Sequence, residues 1–472
     1  MICVFMLMIC SNDSHKSDTE PIVYITTGDK ELLLEKVDGA ISDVEKLTER
    51  LVIEVDRTRE YQQMDGFGYT LTGGSAMHLN AMSDVARSTL LHELFGDGEN
   101  DIGINYIRIS IGASDLDEVI YSYNDLPEGE TDEELEHFSI EPDRKYLIPI
   151  LKEILAINPE IKILGSPWSP PVWMKTFDIP IERNRDPKLP LTVGGGLNPK
   201  FEATYATYFV KYIEAMAAEG INIDAITIQN EPHHHRNNPS LYMEADQMRD
   251  LVKNHLGPAF EESGIDTKII IWDHNADKPE YPISILDDPD ARKYIDGSAF
   301  HLYAGSINVL TEVKEAHPDK NLYFTEQYVN TNGEFWGDLM WHTENLIIGA
   351  SRNWSKTVLQ WNLTSNPELT PYTPFGGCNV CLGAITISGD EVSRNQGYYA
   401  IAHASKFVPT GSVRIASSHL DALPNVAFKT PSNTIVLIVL NKSVEKVSFN
   451  IKIDNRTKLV SMPDNSVATI VF

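Results

Sequence analysis

Positive charge is scarce in this sequence of 472 residues. Lysine and arginine together number 39, against 68 aspartates and glutamates, which leaves a formal net charge of −29 at pH 7. A strongly negative protein is repelled by nucleic acids and by anionic membrane surfaces. We therefore expect no nucleic-acid partner. The charge fits a neutral or cationic substrate, or it serves only to keep the protein soluble.

Cysteine is also scarce, with four residues in the chain. Cys378 and Cys381 form a single C-x-x-C pattern in a glycine-rich segment. A structural zinc site of this type would need a second pair, and none follows. We expect no metal and no other cofactor. The two cysteines are predicted either to form a local disulfide or to remain free thiols.

A transmembrane span, which takes about 20 apolar residues, is not predicted. The apolar stretch Met1 to Cys10 is too short and resembles the hydrophobic part of a secretory signal. Its end at Cys10 resembles an imperfect bacterial lipoprotein processing site. We expect residues 1–20 to be a leader and linker, with a lipid anchor at Cys10. This predicts an exported, cell-surface or periplasmic lipoprotein of a Gram-negative bacterium; the alternative is a chance apolar leader.

Strand and helix patterns alternate between residues 61 and 395. Ser83 is a typical cap for a helix over Asp84–Phe95, and Asp143 is predicted to open a helix that reaches Ile157. Eight strands alternating with helices predict an α/β protein with a (β/α)8 TIM barrel. The predicted strands are Met64–Tyr69, Ile104–Ser110, Ile161–Ser166, Ile223–Asn230, Lys268–Asp273, Gly297–Tyr303, Asn321–Glu326 and Lys356–Asn362.

The two ends of the chain show short strand patterns without long helical periods. Residues 21–60 include Ile22–Thr27 and Leu51–Asp56, and residues 396–472 include four further apolar runs at hairpin spacing. The strands at one end need partners, and the other end supplies them. We predict a β-sandwich side domain formed by both chain ends, in a protein that is a monomer.

Two of the predicted barrel strands lead to glutamate. The fourth strand runs into Glu231 and Pro232, and the seventh ends in Glu326. Catalysis in a parallel barrel takes place at the C-terminal ends of its strands. Two carboxylates facing each other there are what a retaining glycosidase requires. Either glutamate alone could equally be a solvated surface residue.

Other strand ends carry side chains that are typical of sugar-binding sites. Aromatic rings stack on sugar faces, and charged or amide groups bond the hydroxyls. Each residue taken singly could be structural, but all of them fall at one rim. The histidines at 233–235 are interpreted as a feature of that rim, and no metal site is predicted. The strand-end residues are Arg108, Asp115, Trp168, Asn230, Trp272, Asp273, His274, His301, Tyr303, Trp361 and Asn362.

The sequence resembles glycoside hydrolase family 30, which includes the glucosylceramidases. The resemblance implies a barrel with a side sandwich made from both termini. It implies that Glu231 is the general acid/base, with a raised pKa, and that Glu326 is the nucleophile, kept ionised by Arg108 and Tyr303. The matching motifs are Asp65-Gly-Phe-Gly68, Arg108 to Asp115, Ser166-Pro-Trp-Ser-Pro-Pro171, Gln229-Asn-Glu-Pro232, His301-Leu-Tyr303, Thr325-Glu326, Gln360-Trp-Asn362 and Ala404-Ser-Lys-Phe-Val-Pro409.

The same resemblance implies a role for the residues around the two glutamates. Asn230 would bind the sugar 2-hydroxyl. Asp115 and Trp168 would contact the non-reducing side of the same sugar, and Trp361 would form the floor of the site. His301 is expected among the substrate-binding residues.

Loops at the barrel mouth point to the substrate. The histidines after Glu231, the stretch Asp273-His-Asn-Ala-Asp277 and the loop that contains Cys378 resemble the bacterial and fungal endo-β-1,6-glucanase branch. We therefore predict a retaining endo-β-1,6-glucanase that acts on a β-linked glucan. The alternatives are an exo-acting β-glucosidase or glucosylceramidase, a β-xylanase, and an inactive glycan-binding protein. The presence of both glutamates argues against the last.

Overall fold

The computed structural model describes residues 20–44 and 50–472. The apolar leader, with Cys10 and the predicted lipid anchor, lies outside the described residues. Within the described ranges, no helix combines the length and the apolar character that crossing a membrane requires.

A closed barrel of eight parallel strands forms the centre of the fold, and all eight predicted strands are confirmed. The strands pair in chain order, and β8 pairs with β1 to close the ring. A Cβ atom at Gly68 would lie 1.9 Å from the carbonyl oxygen of Tyr106, so this position needs glycine for β1 to pair with β2. The strands are β1 (Gly66–Thr70), β2 (Tyr106–Ser110), β3 (Lys162–Ser166), β4 (Ala225–Thr227), β5 (Lys268–Ala276), β6 (Ile295–Gly305), β7 (Asn321–Glu326) and β8 (Ser355–Asn362).

Helices connect the barrel strands. The Ser83 side chain caps Asp84–Phe95, as predicted, by accepting a hydrogen bond from the Ala86 backbone N–H. The α-helix predicted from Asp143 begins instead at Leu147, and Asp143 lies in a short 3-10 helix, Glu141–Arg144. There its carboxylate accepts hydrogen bonds from two tyrosine hydroxyls instead of capping the α-helix. The α-helices and π-helices are Gly73–Ala81, Asp84–Phe95, Leu147–Ile157, Glu202–Ala218, Ala245–Leu251, the π-helix Val252–Leu256, Gly257–Ser263, Glu280–Leu286, Pro289–Arg292, Val309–Ala316, Phe335–His342, the π-helix Thr343–Ala350 and Gln396–Ser405. Short 3-10 helices are Glu141–Arg144, Val172–Met174, Pro180–Glu182 and Pro199–Phe201.

Both chain ends build one ten-stranded sheet with its own apolar core, which confirms the predicted side domain. Strand Ile22–Thr27 pairs with Ser466–Val471 along six residues. Val23, Ile53 and Phe449 lie in a core that is separate from that of the barrel. The exact domain limits at residues 60 and 395 stay a prediction. In sheet order the strands are Glu35–Lys36, Ile22–Thr27, Ser466–Val471, Ile435–Asn441, Asn425–Lys429, Val413–Ser417, Val52–Gln63, Val447–Ile453, Arg456–Met462 and Ile41–Asp43.

Short strands outside these two units shape the mouth of the barrel. Val329–Asn330, which follows β7, pairs with Cys381–Leu382. This pairing brings the loop that contains both cysteines over the C-terminal ends of the barrel strands. The other short strands are Lys175–Thr176, Gly196–Leu197, Thr364–Ser365, Ile385–Ser388 and Glu391–Arg394.

Candidate active site

The two glutamates singled out from the sequence come together at the C-terminal mouth of the barrel. The backbone of Glu231 has a φ of 49°, and its N–H donates to the Asp273 carbonyl at 3.0 Å. A non-glycine residue held in this left-handed region is often found at functional sites. Glu326 ends β7, where it lies beside His301 of β6. The turn after β4 and the register of β6 and β7 therefore position the two carboxylates.

The distances from one ring nitrogen of His301 to the two carboxylates limit how far apart their nearest oxygens can lie. His301 Nδ1 lies 3.2 Å from Glu231 Oε1 and 3.7 Å from Glu326 Oε1. The two oxygens cannot be farther apart than the sum of these distances. This bound is compatible with the separation of about 5–5.5 Å between the carboxyl groups of retaining glycosidases.

Arg108 and Tyr303 hold the Glu326 carboxylate from two sides. The guanidinium of Arg108, on β2 and fully buried, donates to Glu326 Oε2. The Tyr303 hydroxyl donates to Glu326 Oε1 at 3.0 Å. Arg108 Nη2 also donates to Asn230 Oδ1 at 2.6 Å, which leaves the Asn230 amide N–H groups to donate to a ligand.

Asp273, on β5, lies beneath Arg108 and His301 and contacts both side chains. Its fully buried carboxylate accepts from Arg108 Nη2 at 2.9 Å and faces His301 Nε2 at 3.1 Å. Burial would raise the pKa of Asp273, but the charges of Arg108 and His301 hold it well below its usual range. The sequence placed Asp273 at a strand end without indicating this role. Three hydroxyls, those of Ser166, Thr227 and Thr325, also donate to the Asp273 carboxylate, at 2.6–2.7 Å.

The expectation of a raised pKa for Glu231 is wrong for the free protein. Burial would raise the pKa of Glu231, but the neighbouring His274 and His301 lower it below its ordinary range. Burial would lower the pKa of His301, but Glu326, Asp273 and Glu231 surround the ring and raise it to about 9. At neutral pH the proton that Glu231 would need as an acid is therefore carried by His301.

A cavity of about 530 Å³ opens above the two carboxylates. The rings of Trp168 and Trp361 lie there with centroids 5.3 Å apart, and Trp168 Nε1 is buried without a hydrogen-bond partner in the protein. An unpartnered indole N–H beside a cavity is available to a ligand oxygen. Six of the predicted site residues line the cavity: Asp115, Trp168, Glu231, Tyr303, Glu326 and Trp361.

The remaining three predicted site residues lie beneath the cavity. Arg108 and His301 are fully buried and Asn230 is almost so. Both ring nitrogens of His301 face carboxylates, and its expected place among the substrate-binding residues stays a prediction. Other wall residues were already placed at the barrel mouth from the sequence, in motifs, strand ends or rim loops: His234, His274, Asn275, Leu302, Cys378 and Cys381. Four residues that the sequence did not single out complete the cavity wall: Asn237, Gln327, Tyr328 and Gly376. Their loops carry no periodic pattern from which this position could be predicted.

A disulfide between Cys378 and Cys381 decides between the two states left open for these cysteines. The Cys378 backbone N–H donates to Asp115 Oδ2 at 3.3 Å. Asp115 is buried, and its burial, together with the charge of Glu326, raises its pKa to about 8. The disulfide loop thus closes one side of the cavity and holds a second carboxyl group next to Glu326.

The histidines at 233–235 do not come together as a ligand set. His233 stacks on Tyr242 with a centroid distance of 5.1 Å, while His234 faces the cavity. A different group does converge. Among the residues that the structure describes, Glu231, His274 and His301 place one donor atom each within 4.8 Å of the other two.

Two family models match the sequence and divide it as the fold does. The glycosyl hydrolase family 30 TIM-barrel domain matches residues 64–408, and the glycosyl hydrolase family 30 beta sandwich domain matches residues 411–470. Together they cover most of the chain and both structural units.

Curated proteins and a solved structure are similar to this chain over most of its length. The endo-1,6-beta-D-glucanase neg1 of Aspergillus fumigatus is 31% identical over 453 residues, 92% of this chain and 90% of that protein. The lysosomal acid glucosylceramidase of Mus musculus is 29% identical over 85% of this chain and 79% of that protein. The solved endo-beta1,6-glucanase BT3312 superimposes with a TM-score of 0.85 at 34% identity, over 96% of this chain and 99% of that one.

Proposed function

Because the chain belongs to glycosyl hydrolase family 30 and is a glycoside hydrolase, we propose that it is a retaining endo-β-1,6-glucanase. The observation that carries the proposal is the placement of Glu231 and Glu326, which both line one cavity and both face His301 Nδ1. Two carboxylates about 5–5.5 Å apart perform double displacement at an anomeric carbon.

Glu326 is the nucleophile in this proposal. Its carboxylate attacks the anomeric carbon, the bond to the leaving glucosyl oxygen breaks, and a covalent glycosyl-enzyme forms. Arg108 and Tyr303 hold both oxygens of Glu326 in one orientation. This removes the reorganisation that a free carboxylate would need before it attacks.

Glu231 transfers the proton in both steps. In the first step the proton carried by His301 passes to Glu231 across 3.2 Å, and Glu231 gives it to the leaving oxygen. In the second step water attacks the anomeric carbon, the bond to Glu326 breaks, and the Glu231–His301 pair takes up the proton of the water. The pair therefore ends the cycle with the proton with which it began.

The other cavity residues hold the sugar. Asn230 is oriented by Arg108 and offers its amide N–H groups to the 2-hydroxyl, a contact that strengthens in the transition state. Trp361 forms the floor, and Trp168 and Asp115 contact the non-reducing side. The raised pKa of Asp115, about 8, means that this carboxyl group can donate as well as accept a hydrogen bond at neutral pH.

The choice of a β-1,6-glucan rests on the relatives and on the loops. Proteins named endo-1,6-beta-D-glucanase are 30–35% identical to this chain, whereas the glucosylceramidases of mouse and worm are 27–29% identical. The cavity wall includes the loop after Glu231 and the disulfide loop, both of which resemble the β-1,6-glucanase branch.

The test is hydrolysis of linear β-1,6-glucan, with products sized over time and their anomeric configuration followed by NMR. We expect mixed-length oligosaccharides early, with retained configuration. Glu326→Gln should abolish release, whereas the exposed control Glu334→Gln should not. Glu231→Ala should lose glucan hydrolysis but still release a dinitrophenol from an aryl glucoside, since that leaving group needs no acid.

Other outcomes of this experiment would replace the proposal. Glucose as the first and only product would indicate an exo-acting β-glucosidase. No release from glucan, with cleavage of a β-glucosyl ceramide, would move the substrate to the glycolipid. Inverted product would contradict the assigned nucleophile.

We also propose that the protein acts outside the cytoplasm with a lipid on Cys10. The support is the apolar stretch Met1 to Cys10 and the polar residues behind it. Cys10→Ala should abolish incorporation of labelled palmitate and move the protein from the membrane fraction to the soluble fraction. Unchanged labelling in this variant would contradict the proposal.

A further inference from the structure

We propose that Glu231, His274 and His301 form a binding site for one divalent cation of the zinc type, and that the bound cation inhibits the enzyme. The three donor atoms are Glu231 Oε1, His274 Nδ1 and His301 Nδ1. They come from β5, β6 and the turn after β4, and they lie at the floor of the cavity. None of the steps proposed for glucan hydrolysis uses this arrangement as a cation site.

Two of the three distances between the donor atoms fit tetrahedral coordination. Glu231 Oε1 lies 3.2 Å from His301 Nδ1 and 3.4 Å from His274 Nδ1. A tetrahedron with metal–ligand bonds of about 2.0–2.1 Å has edges of about 3.3–3.4 Å. The third distance, between the two histidine nitrogens, is within 4.8 Å, and binding of a zinc ion would draw these two side chains together to that edge length.

The surroundings favour His274 and His301 as ligands. His274 is buried, and its Nδ1 makes no well-aligned hydrogen bond in the protein, although Glu231 Oε1 lies 3.4 Å away. A buried nitrogen in this state is satisfied when a cation or a proton occupies the space in front of it. His301 Nε2 faces Asp273 at 3.1 Å. A carboxylate behind a histidine is the arrangement that orients histidine ligands in zinc proteins and makes them more basic. The cation would displace the proton that His301 carries at neutral pH, since a histidine ligand must be neutral.

The donor set also selects the kind of cation. Two imidazoles and one carboxylate suit zinc, copper or nickel, whereas magnesium and calcium prefer sites made of oxygen ligands. The cavity lies above Glu231 and His274 and leaves a fourth coordination position to water. Three protein ligands and one open position are typical of accessible zinc sites, in contrast to closed structural ones.

Inhibition is expected because the carboxylate that would bind the cation, Glu231, is also the proposed acid/base. A cation on Glu231 Oε1 occupies the oxygen that would exchange protons with the leaving group and with water. The inhibitory part of the inference rests on the proposed function, whereas binding of the cation does not. The two parts are therefore measured separately.

Binding is tested by titrating Zn²⁺ into the full-length protein in a calorimeter. We expect one saturable site, no such site for Ca²⁺, and affinity at least about 10-fold lower in His274→Gln. The matched control is His233→Gln, which removes a histidine of the adjacent triple but no proposed ligand and should bind as wild type does. No saturable binding, or weakening by His233→Gln without weakening by His274→Gln, would overturn the site.

A second measurement does not depend on a variant that folds. X-ray absorption of the wild-type zinc complex should show two histidine nitrogens and carboxylate oxygen at about 2.0–2.2 Å. A shell without histidine nitrogen would refute the assignment.

The functional readout is hydrolysis of β-1,6-glucan with and without Zn²⁺. We expect inhibition that EDTA reverses, at zinc concentrations that match the calorimetric affinity. Full activity of the zinc-loaded protein would overturn the inhibitory role. If the metal-free protein hydrolyses no β-glucoside, the proposed function fails, and calorimetry and absorption still decide whether the cation site exists.

Discussion

Replacement of Asp273 by asparagine changes one oxygen to an amide nitrogen in the centre of the buried network. In the wild-type protein the Asp273 carboxylate lies between Arg108 and His301 and is fully buried. Removing one partner of a buried ion pair costs about 3–5 kcal/mol, because the remaining charge stays buried without compensation. We expect the free energy of unfolding to fall by about that amount. We also expect kcat to fall about 100-fold or more, since Arg108 and His301 would no longer hold the two glutamates in place.

The free energy of unfolding is measured by urea titration followed by tryptophan fluorescence, and kcat is measured on β-1,6-glucan. The matched control is Asp296→Asn. The Asp296 carboxylate accepts hydrogen bonds from Asn321 and Tyr323, which are neutral donors, so its loss should cost less. The reasoning is refuted if Asp273→Asn unfolds within about 1 kcal/mol of wild type, since a buried ion pair cannot be broken at so small a cost.

Three further predictions concern the same site. Asp115 has a folded-state pKa of about 8 against an ordinary 3.8, so it binds more protons when folded, and stability should fall as pH rises through this window. Asp115→Asn should remove this loss of stability at high pH. The Tm of the variant minus the Tm of the wild type should therefore be larger at pH 8 than at pH 4, and an equal Tm difference at both pH values would contradict the prediction. The disulfide encloses a very short loop, so replacing Cys378 and Cys381 by serine should cost at most about 2 kcal/mol while raising KM for glucan; an unchanged KM would show that the loop does not position the substrate. Arg108→Lys should lower kcat about 100-fold, because one ammonium cannot bond Glu326, Asn230 and Asp273 as the guanidinium does. A kcat near the wild-type value would contradict this prediction.

The pattern of strands was readable from the sequence because it depends on near neighbours. Alternation and apolar runs are local, so the eight barrel strands and the strands of both chain ends appear at their predicted places. Polar residues at strand ends were readable for the same reason, and Glu231 and Glu326 do lie at the barrel mouth. Local propensity was misleading at Asp143, because the carboxylate that could cap a helix bonds Tyr121 and Tyr123 instead.

By itself, then, the sequence determined which residues stand at the ends of which strands. Only the tertiary structure decided which of them touch. Asp273 lies 165 positions from Arg108 along the chain and 2.9 Å from it in space, and no local pattern contains that contact. The pKa of Glu231 was expected to be raised and is lowered, because His274 and His301 are brought beside it from other strands. Charge interactions act through space over a few ångströms, and those distances exist only after the barrel has closed.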